Sequence, residues 1–332
     1  MATSRQTATS KRNGVFISVD MEGMAGIVHL QQVMRGMPEY ERSCRLMTAE
    51  TNAAVAGARR AGATRIVVND SHGDMRNFLL DELDEGVEVI SGADKPYSMG
   101  AGLDPTFEVA FFVGYHASVG RERAIMDHTY GGRTVYAIRI NGREQSEATL
   151  NAALAGTFGV RTALITGDQA TIDEVAVELP GIEAVVVKEA LGRQAARSLH
   201  PVEACRRIEA GAYRAYAEQA GRPLYQPKGP FLLEIDWMNA SMADLCVELP
   251  EVERVGGRTV RYRTGDFQTC YRMLLALLVM ATPAAYLYPR PWRRRRRSSN
   301  CSRGPRCAAI RRVTSWTRSW PVKSLRGSSL AC

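Results

Sequence analysis

Residues 15–20 read VFISVD, a short apolar run that ends on a carboxylate, and this run is the first of five. Apolar runs of this length are typical of strands buried inside a parallel sheet. Alanine-rich segments with helical spacing separate the runs, most clearly at residues 41–63 and 146–159. The four later runs are RIVVND (65–70), VAFFVGYH (109–116), TALITGD (162–168) and EAVVVKE (183–189).

This alternation of strand and helix predicts an α/β fold, in which right-handed crossovers give a mostly parallel sheet covered by helices on both faces. The pattern changes at residues 227–266, where FLLEIDW (231–237) and GGRTVRYRT (256–264) predict further strands. We interpret this region as a smaller α+β C-terminal segment that closes the sheet edge or makes a subunit contact. An apolar helix at residues 268–282 then completes the fold.

The two ends of the chain differ from the middle, which we expect to be one domain at residues 14–285. Residues 1–13 are polar and predict a disordered leader, with a transit peptide as the alternative. From residue 287 onward there are thirteen Lys or Arg and no acid, whereas 30 basic and 35 acidic residues precede it. We therefore predict a disordered arginine-rich tail at residues 286–332, either a frameshift product or an arm that binds RNA or membrane.

Composition excludes several classes of protein. With 45% hydrophobic and 23% charged residues the chain is typical of a globular protein. Its seven scattered cysteines form no Cys-x-x-Cys pair, which argues against a disulfide framework and favours a cytoplasmic location. The apolar stretch 273–288 is shorter than the roughly 20 residues of a membrane span and contains Pro283, so we favour a buried helix over a membrane anchor. We expect no membrane partner and no specific nucleic-acid partner.

Residues able to bind a metal follow three of the predicted strands. The carboxyl ends of parallel strands meet at one edge of a sheet, where ligands bind in open α/β folds. Two acids that stand two residues apart in extended chain point to the same side, as needed for convergence on a cation. The residues are Asp20 and Glu22 at and just after the end of the first run, Asn69, Asp70 and His72 at and just after the end of the second, and His116 at the end of the third.

Three of the five histidines, His72, His116 and His128, lie after or close beside strands. Glu147 opens a predicted helix, whose dipole favours the ionised carboxylate. A set of carboxylates and imidazoles suits zinc, with manganese as a close competitor. Each residue taken alone also has a structural interpretation, such as a helix cap, a turn residue or a hydrogen-bonded core histidine. Their coincidence at successive strand ends favours a metal site.

Six segments together resemble the zinc-dependent D-aminopeptidase family that is associated with bacterial dipeptide transport. The similarity runs from residue 14 to residue 282, in the family's order and spacing. The segments are SVDMEGMAGI (18–27), VVNDSHGDMRN (67–77), EVISGADKPYSMGAGLD (88–104), FFVGYHA (111–117), MDHTY (126–130) and GREQSEATLNAALAG (142–156).

The resemblance implies a three-layer αβα subunit that binds two Zn²⁺ ions and assembles into a homodecamer, a double ring of five. One zinc ion would be held by Asp20, Glu22 and His72. The second would share Asp20 and add His116 and Glu147. His128 would take part in catalysis beside the metals.

We therefore expect a cytoplasmic dinuclear zinc aminopeptidase that hydrolyses short peptides, with N-terminal D-amino acids preferred, by a metal-activated water. A two-metal phosphohydrolase is the alternative enzyme, but it needs Arg or Lys near its phosphate, and residues 15–24, 66–75 and 109–118 contain none. A non-enzymatic protein that binds RNA or membrane through the tail is the other alternative. Residues 92–104 are either a substrate-facing loop or a plain connection.

Overall fold

The computed structural model describes residues 13–286. The predicted leader and tail, apart from Asn13 and Tyr286, lie outside the described residues. Within that range the strands are β1 (Gly14–Val19), β2 (Arg65–Asp70), β3 (Glu88–Ile90), β4 (Phe107–Tyr115), β5 (Val135–Ile140), β6 (Arg143–Glu144), β7 (Arg161–Asp168), β8 (Glu183–Gly192), β9 (Ala195–Ser198), β10 (Phe231–Trp237), β11 (Glu253–Arg254) and β12 (Thr259–Thr264). The helices are α1 (Leu30–Val33), α2 (Tyr40–Arg60), α3 (Glu147–Thr157), α4 (Gln169–Glu178), α5 (Pro201–Ala217), α6 (Ala240–Cys246) and α7 (Phe267–Ala281).

Seven strands form the main sheet, in the spatial order β3–β2–β1–β4–β7–β8–β9. All neighbouring pairs are parallel except the pair between β8 and the edge strand β9. The predicted α/β fold with a mostly parallel sheet is therefore confirmed. All five apolar runs form strands of this sheet, within two or three residues of the predicted bounds.

Helices cover both faces of this sheet. Along β1, Val15 and Ile17 point into a core shared with α2 and α5, while Phe16 points into a second core shared with α3 and α4. Consecutive side chains of a strand point to opposite faces, so a strand that is apolar throughout requires cover on both sides. The three-layer αβα arrangement implied by the family resemblance follows from this burial.

The register of the central strands brings the candidate ligands to one edge. Val19 of β1 is opposite Asp70 of β2 on one side and opposite Val113 of β4 on the other. β1 and β2 end at these positions and β4 ends two residues later, at Tyr115, so the residues after all three strands lie at the carboxyl edge of the sheet. Residues 20–22, 71–73 and 116–118 are therefore neighbours in space although they are far apart in sequence.

A second sheet was only partly predicted. Its five strands are antiparallel, in the order β11–β12–β10–β5–β6. The segment at residues 227–266 therefore does not close the edge of the main sheet. Its strand β10 pairs with β5 instead, and Leu233 of β10 lies opposite Ile140 of β5. The physical reason is the alternation in FLLEIDW, whose residues are alternately buried and half-buried, as in a sheet with one covered face.

Helix α7 covers this second sheet and ends beside the site. With its following turn, residues 267–285 are the one described segment long and apolar enough to span a membrane, a property shared by core helices of soluble proteins. Tyr271, Leu274 and Leu277 on its inner face are buried in the core with Trp237. The packing of α7 therefore fits the prediction of a buried core helix.

Candidate metal centre

The acid that follows β1 lies at the centre of the site. Asp20 is buried, and its two carboxylate oxygens face different histidines. Oδ1 lies 3.2 Å from Nδ1 of His72, and Oδ2 lies 3.3 Å from Nε2 of His116. Asp20 therefore offers one oxygen to His72 and the other to His116, an arrangement that suits a carboxylate shared by two metal ions.

On one side of Asp20, His72 and Glu22 complete a buried group of three whose potential ligand atoms lie within 4.8 Å of one another. Nδ1 of His72 lies 2.8 Å from Oε2 of Glu22. Nε2 of the same ring donates to the backbone carbonyl of Val33, with the two atoms 2.8 Å apart. A hydrogen bond of this kind fixes the tautomer and leaves the other ring nitrogen as a ligand.

On the other side, Nε2 of His116 lies 3.5 Å from Oε2 of Glu147. Nδ1 of His116 donates to the carbonyl of Ala117, 3.0 Å away, so this ring is also oriented through its outer nitrogen. Glu147 is the first residue of α3, directly after the N-cap Ser146. Its Oε1 accepts a hydrogen bond from the backbone N–H of Tyr130, which aims Oε2 at the histidine.

His128 stacks on His116, with ring centroids 4.0 Å apart and planes 11° from parallel. Its Nδ1 donates to the carbonyl of Met126 at 2.7 Å, which leaves Nε2 with a free lone pair. His128, His116 and Glu147 also form a group whose potential ligand atoms lie within 4.8 Å of one another. The structure thus brings together the six residues that the family resemblance assigns to the site, and His128 is the only half-buried one of the six.

The donor set fits a metal. Oε2 of Glu22 and Nε2 of His116 are buried and make no hydrogen bond of acceptable geometry. Buried polar atoms without partners are costly, and they are rare except where a ligand or ion supplies the missing interaction. Both atoms lie among carboxylate and imidazole groups, and these are ligands that zinc takes in proteins.

The buried carboxylates of Asp20 and Glu22 repel each other, and a bound cation would reduce that repulsion. Burial alone would raise the pKa of the Glu22 carboxyl, but His72 holds that pKa well below its usual value. Burial would also raise the pKa of Glu147, but His116, with smaller contributions from His128 and the Tyr130 N–H, lowers it. The pKa of Asp20 is raised, first by burial and then by the negative charge of Glu22. Repulsion between buried carboxylates is the situation that a bound cation removes.

Two predicted candidates are not in this cluster. The Asp70 carboxylate accepts hydrogen bonds from the backbone N–H and the side-chain amide of Asn77 and from the N–H of His72. It therefore holds the turn that carries His72. Asn69 instead donates to the carbonyl of Met99, 2.7 Å away, and accepts from Lys95.

A buried lysine supports the loop that carries Asp20 and Glu22. Nζ of Lys188, on β8, donates to the carbonyls of Glu22, Met24 and Ile27. Burial lowers the pKa of Lys188 to about 8. The sequence held a signal for this role, since a lysine inside the apolar run EAVVVKE must find acceptors when the strand is buried.

The cluster opens into a cavity of about 380 Å³. One wall comes from the loop at residues 92–104, through Lys95 and Ser98, and another from α7, through Leu278 and Val279. This placement favours the substrate-facing interpretation of that loop. A concave, partly apolar cavity of this volume beside polar groups is typical of a small-ligand site.

Comparison with known proteins decides the family. A family model described as D-aminopeptidase matches residues 14–276. The chain belongs to the D-aminopeptidase family. A D-aminopeptidase of Bacillus subtilis (strain 168) is 33% identical over 276 residues, which are 82% of this chain and 99% of that protein. The solved structure of the Zn-dependent D-aminopeptidase DppA from Bacillus subtilis, titled a self-compartmentalizing protease, aligns with a TM-score of 0.78 and 31% identity, over 81% of this chain and 98% of that one.

These matches confirm the family resemblance and the fold. As a D-aminopeptidase family member, the chain is a hydrolase of the metallo-aminopeptidase class. The zinc-dependent relative supports zinc as its metal. Family membership also decides against the phosphohydrolase alternative.

Proposed function

We propose that this chain is a dinuclear zinc aminopeptidase that removes the N-terminal residue, preferably a D-amino acid, from short peptides. The observation that carries the proposal is the position of Asp20, whose two oxygens face His72 and His116 separately. Asp20, Glu22 and His72 would hold one ion. Asp20 would share the second ion with two further ligands, His116 and Glu147.

The protein groups divide the chemistry between them. Zinc, when bound, acidifies water and polarises a peptide carbonyl at neutral pH. The Val33 and Ala117 carbonyls orient the two histidine rings, and the Tyr130 N–H orients Glu147. Lys188 fixes the loop that carries the acid pair, so the carboxylates are held in place before substrate arrives.

His128 would act as the acid or base. Because the Met126 carbonyl occupies Nδ1–H, the Nε2 atom is the one that takes up or releases a proton, and the ring lines the cavity. Nε2 would take a proton from the attacking water and pass it to the leaving amine as the peptide bond breaks. Its position close to His116 and Glu147 also suits a metal ligand, and metal content of a His128 variant distinguishes the two roles.

The substrate class rests on the relatives and on the cavity. Both Bacillus subtilis proteins are named D-aminopeptidases. A cavity of about 380 Å³ accepts a peptide of a few residues but not a folded protein. A role in peptide transport or peptide use follows from the family resemblance.

Assembly and location are part of the same proposal. The relative DppA is described as self-compartmentalizing, and we propose that this chain likewise forms a closed homo-oligomer, a decamer of the 36.5 kDa subunit. Light scattering on the purified protein measures this directly. A cytoplasmic location is supported by the free thiols of Cys44, Cys205, Cys246 and Cys270.

A substrate panel tests the activity. The zinc-loaded protein should hydrolyse D-Ala-D-Ala faster than L-Ala-L-Ala and should leave a phosphate ester intact. A chelator should abolish the activity and zinc should restore it. Asp20→Ala should be inactive, while Asp81→Ala, an exposed acid outside the cavity, should match the wild type. Preference for the L-dipeptide, or activity that resists metal removal, would contradict the proposal.

A further inference from the structure

The described residues that line the cavity beside the metal ligands include one lysine and no arginine. That lysine is Lys95. Lys95 belongs to the loop at residues 92–104 and is half-buried. The proposed reaction assigns it no role.

Lys95 makes its direct hydrogen bonds to neutral groups, and the nearby Asp70 carboxylate offsets only part of the effect of burial on its pKa. Nζ donates to Oδ1 of Asn69 and to the backbone carbonyl of Asp70, each 2.6 Å away. Both acceptors are neutral. Among the described residues, Lys95 forms no ion pair with a carboxylate, and its third N–H has no acceptor. An ammonium group has three donors, so one of them remains for a ligand.

The head group is also held in position before a ligand arrives. Asn69 lies in β2, and its amide nitrogen donates to the carbonyl of Met99 at 2.7 Å. The amide oxygen is therefore turned towards Lys95 and fixes the ammonium at the cavity wall. Burial lowers the pKa of Lys95 to about 8, so the group is mostly protonated at neutral pH. A partly desolvated, positioned cation binds anions more strongly than a solvated one.

We infer that Lys95 binds the terminal carboxylate of the substrate, so that the enzyme recognises short peptides with a free C-terminus. The inference rests on the proposed function, in which the amino end of the peptide lies at the metal ligands. A peptide without acidic side chains carries one anionic group, its terminal carboxylate, and Lys95 is the one lysine or arginine among the described residues that line the cavity. Lys95 would thereby set the peptide length that is cleaved efficiently.

The test uses a pair of non-hydrolysable dipeptides, so that binding is measured apart from turnover. The probes are D-Ala-D-Ala with a reduced (CH₂–NH) linkage, one as the free acid and one as the C-terminal amide. Calorimetry on the zinc-loaded full chain measures both. The wild type should bind the acid about 10- to 100-fold more tightly than the amide, the range expected for one charge-assisted hydrogen bond.

Three variants make the result specific. Lys95→Met should weaken binding of the acid to the level of the amide and leave binding of the amide within about threefold. Lys95→Arg should retain the preference for the acid. Lys228→Met, at an exposed lysine that does not line the cavity, removes the same charge and should behave as wild type. Zinc content and melting temperature are measured for each, and if Lys95→Met does not fold, the wild-type ratio and Lys95→Arg decide the question.

Equal binding of acid and amide to the wild type, or no binding of either, would overturn the inference. Loss of both probes in a folded, zinc-loaded Lys95→Met protein would do the same, since it would make Lys95 a residue that only positions the loop. Failure of the proposed function looks different. In that case the wild type hydrolyses no peptide, while the preference for the acid still depends on Lys95.

Discussion

Glu50 lies in α2 beneath the loop that carries Asp20, and its replacement by glutamine tests how that loop is supported. Oε1 of Glu50 accepts a hydrogen bond from the backbone N–H of Ala25 at 2.8 Å, and Oε2 is buried without a partner. Burial raises the pKa of Glu50 from 4.5 to about 7. The Ala25 hydrogen bond and the positive charge of Lys188 offset only part of that effect.

Stability should therefore depend on pH through this one group. A carboxyl whose pKa is higher in the folded chain favours folding when protonated, so its contribution is complete below pH 4.5 and is lost as the pH rises through 7. A pKa difference of about 2.5, at about 1.4 kcal/mol per pKa unit, corresponds to about 3 kcal/mol. About 2 kcal/mol of this falls between about pH 5 and about pH 7.5. Glu50→Gln keeps an acceptor for the backbone N–H of Ala25 and removes this pH-dependent loss of stability.

Urea unfolding of the metal-free proteins measures the effect. The free energy of unfolding of Glu50→Gln, relative to wild type, should rise by about 2 kcal/mol from about pH 5 to about pH 7.5. Glu41→Gln changes an exposed acid on the same helix and is the matched control. A difference between Glu50→Gln and wild type that does not change with pH would refute the assignment of a costly buried charge.

Three further expectations concern the site. His128→Ala should keep its zinc and lose turnover by about 10²- to 10⁴-fold, as measured by metal analysis and steady-state kinetics; loss of zinc would make His128 a ligand. Asp20→Ala should lose both ions, whereas Glu22→Ala should weaken mainly one; wild-type metal content in Asp20→Ala would exclude the bridging role. Removal of residues 287–332 should leave hydrolysis unchanged, because the described residues of the cluster and of the cavity wall all come from residues 20–282; collapse of activity on truncation would show that these residues matter for the site.

The strand-end residues were predictable because their positions follow from local pattern. Each buried run marks a strand, and parallel strands put their carboxyl ends together, so Asp20, His72 and His116 had to be neighbours. The same logic placed Asp70 near the site but could not show where its side chain points. Its hydrogen bonds to Asn77 depend on a turn whose geometry the pattern does not specify.

Features that arise from distant packing were not predictable. Strand β5 was not recognised, because its role depends on pairing with β10, which lies about ninety residues later. The cavity wall from α7 depends on the same packing, since Val279 reaches the site only once α7 covers the second sheet. Lys95 was within a recognised segment, but only the structure shows that its charge has no partner carboxylate.

Zinc content of the purified full-length protein tests the central claim most directly. Elemental analysis after gentle purification, with protein concentration measured independently, should give about two zinc equivalents per subunit in fully active enzyme. The reason is that the cluster offers more ligands than the four that one zinc ion takes. Full activity with one equivalent or none would contradict the dinuclear account.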